Sequence, residues 1–144
     1  MLAKECMTKK VEIGTPEMTL AEAALKMRSG DFGILPIRKN DRLVGVITDR
    51  DITVRGVAEG KDPQKSLVSE IMTNKVLYCY EDQDVNEVIK NLGENQIRRL
   101  PVLNREKRLV GILSLGNLCQ TDAIPQVVDE ALIRISGKTK RFAR

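Results

Sequence analysis

The stretch RLVGVITDRDI, residues 42–52, returns as RLVGILSLGNL, residues 108–118, and the reading of the chain follows from that echo. In each copy an apolar run of strand character ends on a hydroxyl residue, Thr48 or Ser114. A short polar residue, Asp51 or Asn117, stands three places on. That spacing suits a helix N-cap and its partner, so each copy reads as a strand leading into a helix. The repetition extends outward from here. An offset of 65 sets Met7-Thr8 on Met72-Thr73, Lys10-Val11 on Lys75-Val76, Glu22 on Glu87 and Leu35-Pro36 on Leu100-Pro101. One extra residue in the turn NREK, residues 104–107, moves the offset to 66, and Arg42-Leu43-Val44-Gly45 then falls on Arg108-Leu109-Val110-Gly111.

Each half predicts strand, helix, strand, strand, helix. The first strand begins at Val11 or Val76. The helix carries apolar Leu20, Ala23, Ala24 and Met27 in one half and Val85, Val88, Ile89 and Leu92 in the other, spaced at three and four. The runs ILPI and LVGVI, and later LPVL and LVGIL, flank polar turns and read as hairpins. Short helical lead-ins end at Met7 and Met72. The fold class is α/β of the α+β kind, with two repeats related by a pseudo-twofold axis. A half of about 55 residues buries its sheet poorly alone, so the halves are expected to pack face to face. The boundaries are a first repeat with its lead-in over 1–58, a linker EGKDPQKS over 59–66, a second repeat over 67–120, and a C-terminal helix with a basic tail over 121–144. In that last segment Thr121 or Asp122 suits the cap, Pro125 the first turn and Gly137 the end. Its stripe of Ile124, Val127, Val128, Ala131, Leu132 and Ile135 is expected to pack on the domain or on a dimer mate.

Composition excludes several functions. At 144 residues and 42% apolar, the chain can bury a core. Its apolar runs are too short to span a membrane, and MLAKECMTKK lacks the apolar centre of a signal peptide, so a cytoplasmic protein is expected. Cys6, Cys79 and Cys119 form no CxxC pair, which fits a reducing compartment. The absence of histidine removes the usual zinc sites, Ser-His-Asp triads and Cys-His dyads. Neither catalytic residues nor a metal site is expected, and adjacent Asp49 and Asp51 lack a third ligand for Mg²⁺. The net charge of +4 owes much to Lys138, Lys140, Arg141 and Arg144 in the tail. This reads as a solvated terminus ahead of a nucleic-acid arm, because two Phe, two Tyr and no Trp leave little for base stacking.

With Met7-Thr8 and Met72-Thr73 opening the repeats, GILPI and IRRLPV at the second strands, and LVGVITDRDI and LVGILSLGNL at the third, the chain resembles the tandem CBS domain, the Bateman module. The resemblance covers residues 5–120. It implies a regulatory module with no catalysis of its own, binding AMP, ADP or ATP, less often NAD or S-adenosylmethionine, between the repeats. It further implies a homodimer and a separate effector protein. Carried onto this sequence, Thr48 and Asp51 face Leu77, Ile97, Arg98, Arg99 and Pro101: the carboxylate takes the ribose hydroxyls, Leu77 and Ile97 flank the adenine, and the arginines neutralise phosphate. A second, weaker cleft joins Ser114 and Asn117 to Glu12, Phe32, Gly33 and Ile34, with no charged ribose acceptor and no basic pair. Because Gly33 stands where some relatives carry a basic side chain, AMP or ADP is expected ahead of ATP.

Two other readings stay open. Thr48 and Asp51 also form a plain capping box with both acids at the positive end of a helix dipole, which suits a ligand-free dimerising scaffold. A nucleic-acid binder using the basic tail ranks last.

Overall fold

The computed structural model describes residues 1–118 and 125–142. The chain divides into two compact units, Glu12–Val76 and Met1–Val11 with Leu77–Arg144. We call these the first-repeat and second-repeat units. The units cross the order of the chain, since the lead-in grouped with the first repeat on sequence belongs to the second-repeat unit. The second lead-in, with its 3₁₀ turn Val68–Glu70, belongs to the first-repeat unit.

The lead-ins are built alike. The helical turn α1, Ala3–Cys6, is closed by Glu5, whose carboxylate accepts from Leu2 N, and Glu70 does the same for Leu67 N. Each lead-in then adds a short edge to a hairpin. Thr8 exchanges two backbone hydrogen bonds with Ile112, and Thr73 exchanges two with Val46. The Met before each Thr lies over a glycine: a Cβ at Gly111 would stand 2.6 Å from Met7 Sδ, and one at Gly45 2.6 Å from Met72 Sδ.

In the first-repeat unit, helix α2 spans Leu20–Gly30 behind a Thr19–Glu22 capping box. Of its expected apolar stripe, Leu20, Ala23 and Met27 are buried, whereas Ala24 is exposed. The segment read as a linker is bound to this helix. Ser66 O and Pro63 O accept from Leu20 N and Ala21 N, two donors that a helix start leaves unpaired. Strands β1, Ile34–Lys39, and β2, Arg42–Thr48, form the expected antiparallel hairpin. Its two turn residues, Asn40 and Asp41, both have positive φ, as a type I′ turn requires. β2 runs into α3, Asp49–Asp51, which continues as a π-helical turn over Ile52–Val57.

In the second-repeat unit, β3 (Cys79–Tyr80), α4 (Val85–Glu94), β4 (Arg99–Leu103), β5 (Leu109–Ser114) and α5 (Leu115–Leu118) follow the same plan. β3 is parallel to β4, and β4 antiparallel to β5. The extra residue of the second hairpin turn is accommodated at Lys107, with φ 63°. Asn104 Oδ1 holds that turn by accepting from Glu106 N and Arg108 N. A lysine in the left-handed region carries Cβ crowding that glycine lacks. Lys107→Gly is therefore expected to raise stability by about 0.5–1 kcal/mol, measured as a higher urea midpoint at unchanged slope.

The first strands depart from expectation. No strand begins at Val11 or Val76; β3 starts at Cys79, and in the first repeat only the bridge between Gly14 and Ile37 forms. The repeat offset gives the reason. Glu81 N donates to Leu103 O, extending β3, but the equivalent residue is Pro16, which has no N–H.

Each unit has its own core. Leu20, Ala23, Met27, Leu35, Ile37, Ile47, Val68 and Ile71 form one. Val85, Val88, Ile89, Leu92, Leu100, Val102 and Leu113 lead the other. The second is enlarged by α6, Pro125–Phe142, which packs on α4 through Ala131 and Ile135. The crossing is close, for a Cβ at Gly93 would lie 2.8 Å from Ala131 Cα. Pro125 opens the described part of α6, and the helix does not stop at Gly137, because one glycine costs a helix only about 1 kcal/mol. Leu132 of the expected stripe is 41% exposed. Thr121, Asp122, Ile124 and Arg144 lie outside the described residues.

An exposed cluster ties the 104–107 turn to β3. The Arg105 guanidinium stacks 4.1 Å above the Tyr80 ring and makes two hydrogen bonds of 2.8 and 2.9 Å to Asp82. Tyr78 meets Tyr80 edge-on. The hydrogen bond from Arg105 holds the Asp82 carboxyl below its ordinary value. The folded state thus binds this proton less tightly than the unfolded chain. The cluster's stabilisation is present above the ordinary carboxylate range and is lost as pH falls through the lowered value. Asp82→Asn should flatten this part of the acid limb of a pH–stability curve; an unchanged limb would count against the argument.

Candidate functional site

Thr48 ends β2 and caps α3. Its Oγ1 accepts from Asp51 N at 3.0 Å, and Asp51 Oδ2 accepts from Thr48 N at 2.9 Å. The cap is thus complete in both directions. Asp51 is only 16% exposed at its side chain, and its Oδ1 lies 3.8 Å from Arg55 Nη2. An ionised carboxylate offers about four lone-pair sites, so one backbone bond and one loose ion pair leave acceptor capacity for hydroxyl donors. The second copy differs in chemistry. Ser114 Oγ accepts from Asn117 N at 3.1 Å and donates its only proton to Asn117 Oδ1 at 2.6 Å. The amide oxygen that could take a ribose hydroxyl is already engaged, and it carries no charge.

Each cap lies beside the pre-proline segment of its own repeat. Thr48 pairs with Ile34, and Asp49 N donates to Gly33 O at 3.0 Å. Correspondingly, Ser114 pairs with Arg99, and Leu115 N donates to Arg98 O at 2.9 Å. Within the second-repeat unit, therefore, the basic pair flanks the neutral cap. The residues assigned to the richer cleft divide between the units, with Thr48 and Asp51 in the first-repeat unit and Leu77, Ile97, Arg98, Arg99 and Pro101 in the second. Those of the weaker cleft divide likewise, Glu12, Phe32, Gly33 and Ile34 against Ser114 and Asn117.

Local surroundings refine several of these positions. Leu77 is 44% exposed, and Arg98 and Arg99 are exposed. Ile97 packs on the second core, and Pro101 is buried in β4 opposite Ile112. Phe32 packs on the first core. Glu12 lies 3.6 Å from Lys26 Nζ, which also donates to Ile13 O, so its charge is paired with a lysine. Gly33 has a packing reason: a Cβ there would stand 3.0 Å from Asp49 Oδ2. At the equivalent place in the second repeat Leu115 replaces Asp49 and Arg98 replaces Gly33. Asp49 also accepts from Arg50 N, as a dipole-facing acid should.

The sequence reading passed over Arg55. Its signal was there, a basic residue four places after an acid at the start of a helix. Its Nη1 donates to Ile71 O at 3.0 Å and to Thr73 Oγ1 at 3.3 Å. Elsewhere, burial pushes the Cys79 thiol up to about 12, which leaves it unreactive. Among the described residues no three His, Cys, Asp or Glu side chains gather as a metal site, and no helix is long and apolar enough to cross a membrane.

Comparison with known proteins adds to this geometry. The family model described as CBS domain matches residues 3–55 and again 68–124. YlbB of Bacillus subtilis is 36% identical over 140 residues, 96% of this chain and 93% of that one. Hypoxic response protein 1 of Mycobacterium tuberculosis is 36% identical over 119 residues, 82% of each. A crystal structure of Hypoxic Response Protein I, with two coordinated zinc ions, matches with a TM-score of 0.76 at 35% identity, covering 83% of this chain and 98% of that one. The CBS domain pair of MJ0100, in complex with 5'-methylthioadenosine and S-adenosyl-L-methionine, matches with a TM-score of 0.74 at 28% identity, covering 83% of this chain and 94% of that one. Of one further relative, 33% identical, the chain spans 61% of the length.

Proposed function

The chain belongs to the CBS domain family as a tandem pair, and we propose that it is a regulatory adenosine-ligand module of the cytoplasm with no reaction of its own. The observation that carries this reading is the partly buried Asp51 carboxylate with acceptor capacity left beside a hydroxyl cap, in a fold similar to a pair that holds two adenosine compounds. In the proposed site Asp51 takes the ribose hydroxyls and Thr48 a phosphate oxygen. Leu77 and Ile97 flank the adenine, Pro101 shapes the strand behind them, and Arg98 and Arg99 neutralise phosphate. AMP or ADP suits two arginines better than ATP does. Glu12, Phe32, Gly33, Ile34, Ser114 and Asn117 make a weaker second cleft, since Asn117 brings no charge and its oxygen is engaged. The ligand signals through a change in packing, in a homodimer, to a separate effector protein.

Calorimetry with AMP, ADP, ATP, NAD and S-adenosylmethionine tests this. Binding of AMP or ADP is expected, and no heat from any of the five with folded protein would sink the reading. Asp51→Ala should weaken binding by at least about 1 kcal/mol, in line with a charge-assisted hydrogen bond, whereas Asn117→Ala should leave it nearly unchanged. Equal losses from both would contradict the asymmetry.

A second reading, a ligand-free dimerising scaffold, is favoured by the completeness of the Thr48–Asp51 cap and by exposed Leu25, Val54 and Val57 in the first-repeat unit. Under it, Asp51→Asn lowers the melting temperature modestly and nucleotides do not raise it.

A further inference from the structure

Arg55 holds two groups at once. On one side its Nη2 lies 3.8 Å from Asp51 Oδ1; on the other, its Nη1 donates to Ile71 O and Thr73 Oγ1. A guanidinium can do this because its nitrogens point in fixed, divergent directions. The second group is the end of the lead-in to the next repeat. Ile71 is buried in the first core, Met72 lies over Gly45, and Thr73 is bonded twice to Val46. Beyond Val76 the chain enters the other unit. Between Asp51 and this segment stands one side chain, 49% exposed, carried on a π-helical turn. The second repeat has no counterpart, for the offset of 66 sets Thr121 against Arg55.

We propose that Arg55 is a positioning residue that couples occupancy of Asp51 to the segment 71–73, so that a bound ligand loosens the lead-in to the second repeat. The proposal rests on reading Asp51 as the ribose acceptor. Hydroxyl donors on the remaining lone pairs draw on the same carboxylate charge that holds the guanidinium, so a bound ribose weakens the ion pair without displacing it outright. As that ion pair weakens, Arg55 is less well held over Ile71 O and Thr73 Oγ1. The edge that Thr73 adds to β2 then opens more often. Local opening of this kind is read by hydrogen exchange at the amides concerned.

The experiment is hydrogen-exchange mass spectrometry on the full chain, following peptides over residues 70–76. Without ligand, Arg55→Met and Asp51→Asn should each speed exchange there about 2- to 10-fold, the range of one lost hydrogen bond or ion pair. The double variant should exceed neither single by much. Arg55→Lys, which keeps the charge but has one nitrogen, should behave like Arg55→Met. Saturating AMP should speed exchange in the wild-type chain and have no further effect in Arg55→Met, which still binds it. If Asp51→Asn leaves the segment unchanged while Arg55→Met speeds it, Arg55 is a clamp uncoupled from the carboxylate and the proposal falls. It falls equally if bound AMP leaves wild-type exchange unaltered. Absence of calorimetric heat with all five adenosine compounds would instead overturn the adenosine reading, with the two unliganded variants still testing the coupling.

Discussion

Leu92→Ala is expected to lower stability by about 2–5 kcal/mol, the range for removing a large aliphatic side chain from a packed core. Leu92 is fully buried in α4 among Val88, Ile89 and the β4–β5 hairpin, and α6 closes the far side of the helix. Surrounding groups held on both sides cannot collapse freely into the space left behind, which puts the cost toward the upper part of that range. Against a total stability of about 5–15 kcal/mol for a domain, this is a large fraction. Leu132→Ala in α6 is the control. That leucine is 41% exposed, and its removal should change the urea midpoint only slightly. A comparable loss from both variants would mean that α6 is packed through a different face.

Gly111→Val should cost about 1–3 kcal/mol through overpacking, with a further loss if the two Thr8–Ile112 hydrogen bonds break. The new Cβ would meet Met7 Sδ at 2.6 Å and the Thr8 carbonyl oxygen at 2.9 Å. The sulfur lies on a flexible side chain and can move; the carbonyl belongs to the bridge itself and cannot move without opening it. Met7→Ala in the Gly111→Val background should therefore restore part of the stability and no more. Hydrogen exchange over residues 2–8 should rise in the single variant. A denaturation midpoint matching wild type, with exchange unchanged, would contradict the close approach. Gly45→Val is expected to do the same to Met72 and Thr73, whose carbonyl would lie 3.1 Å from the added carbon.

Much of the fold was legible because repetition and local chemistry agree. The hairpins follow from ILPI with LVGVI and LPVL with LVGIL, and the buried face of α4 follows from apolar spacing at three and four. The caps at Thr48 and Ser114 follow from a hydroxyl with a polar partner three residues on. The first strand was less legible. It is set by backbone pairing across the repeat, and Pro16 removes the donor that Glu81 supplies in the second copy. Within the candidate site, the residue types were readable but their neighbours were not. Gly33 reads as a missing basic residue, and a Cβ there would crowd the Asp49 carboxylate at 3.0 Å, a neighbour that only the folded chain reveals. Glu12, which the resemblance assigns to the weaker cleft, lies 3.6 Å from Lys26, a pairing that no local motif announces.

The sequence by itself determined that there are two CBS repeats, where their hairpins and caps fall, and that only one cap carries a carboxylate. It could not determine which lead-in serves which repeat. Met7-Thr8 and Met72-Thr73 are identical, and each hairpin offers the same Val-Gly for a methionine to cover, so either pairing satisfies the local chemistry. Only the tertiary structure decided that Met7 covers Gly111 and Met72 covers Gly45. The physical reason is that packing against a glycine depends on which segments the folded chain brings together, and two equal segments carry no local mark of their destination.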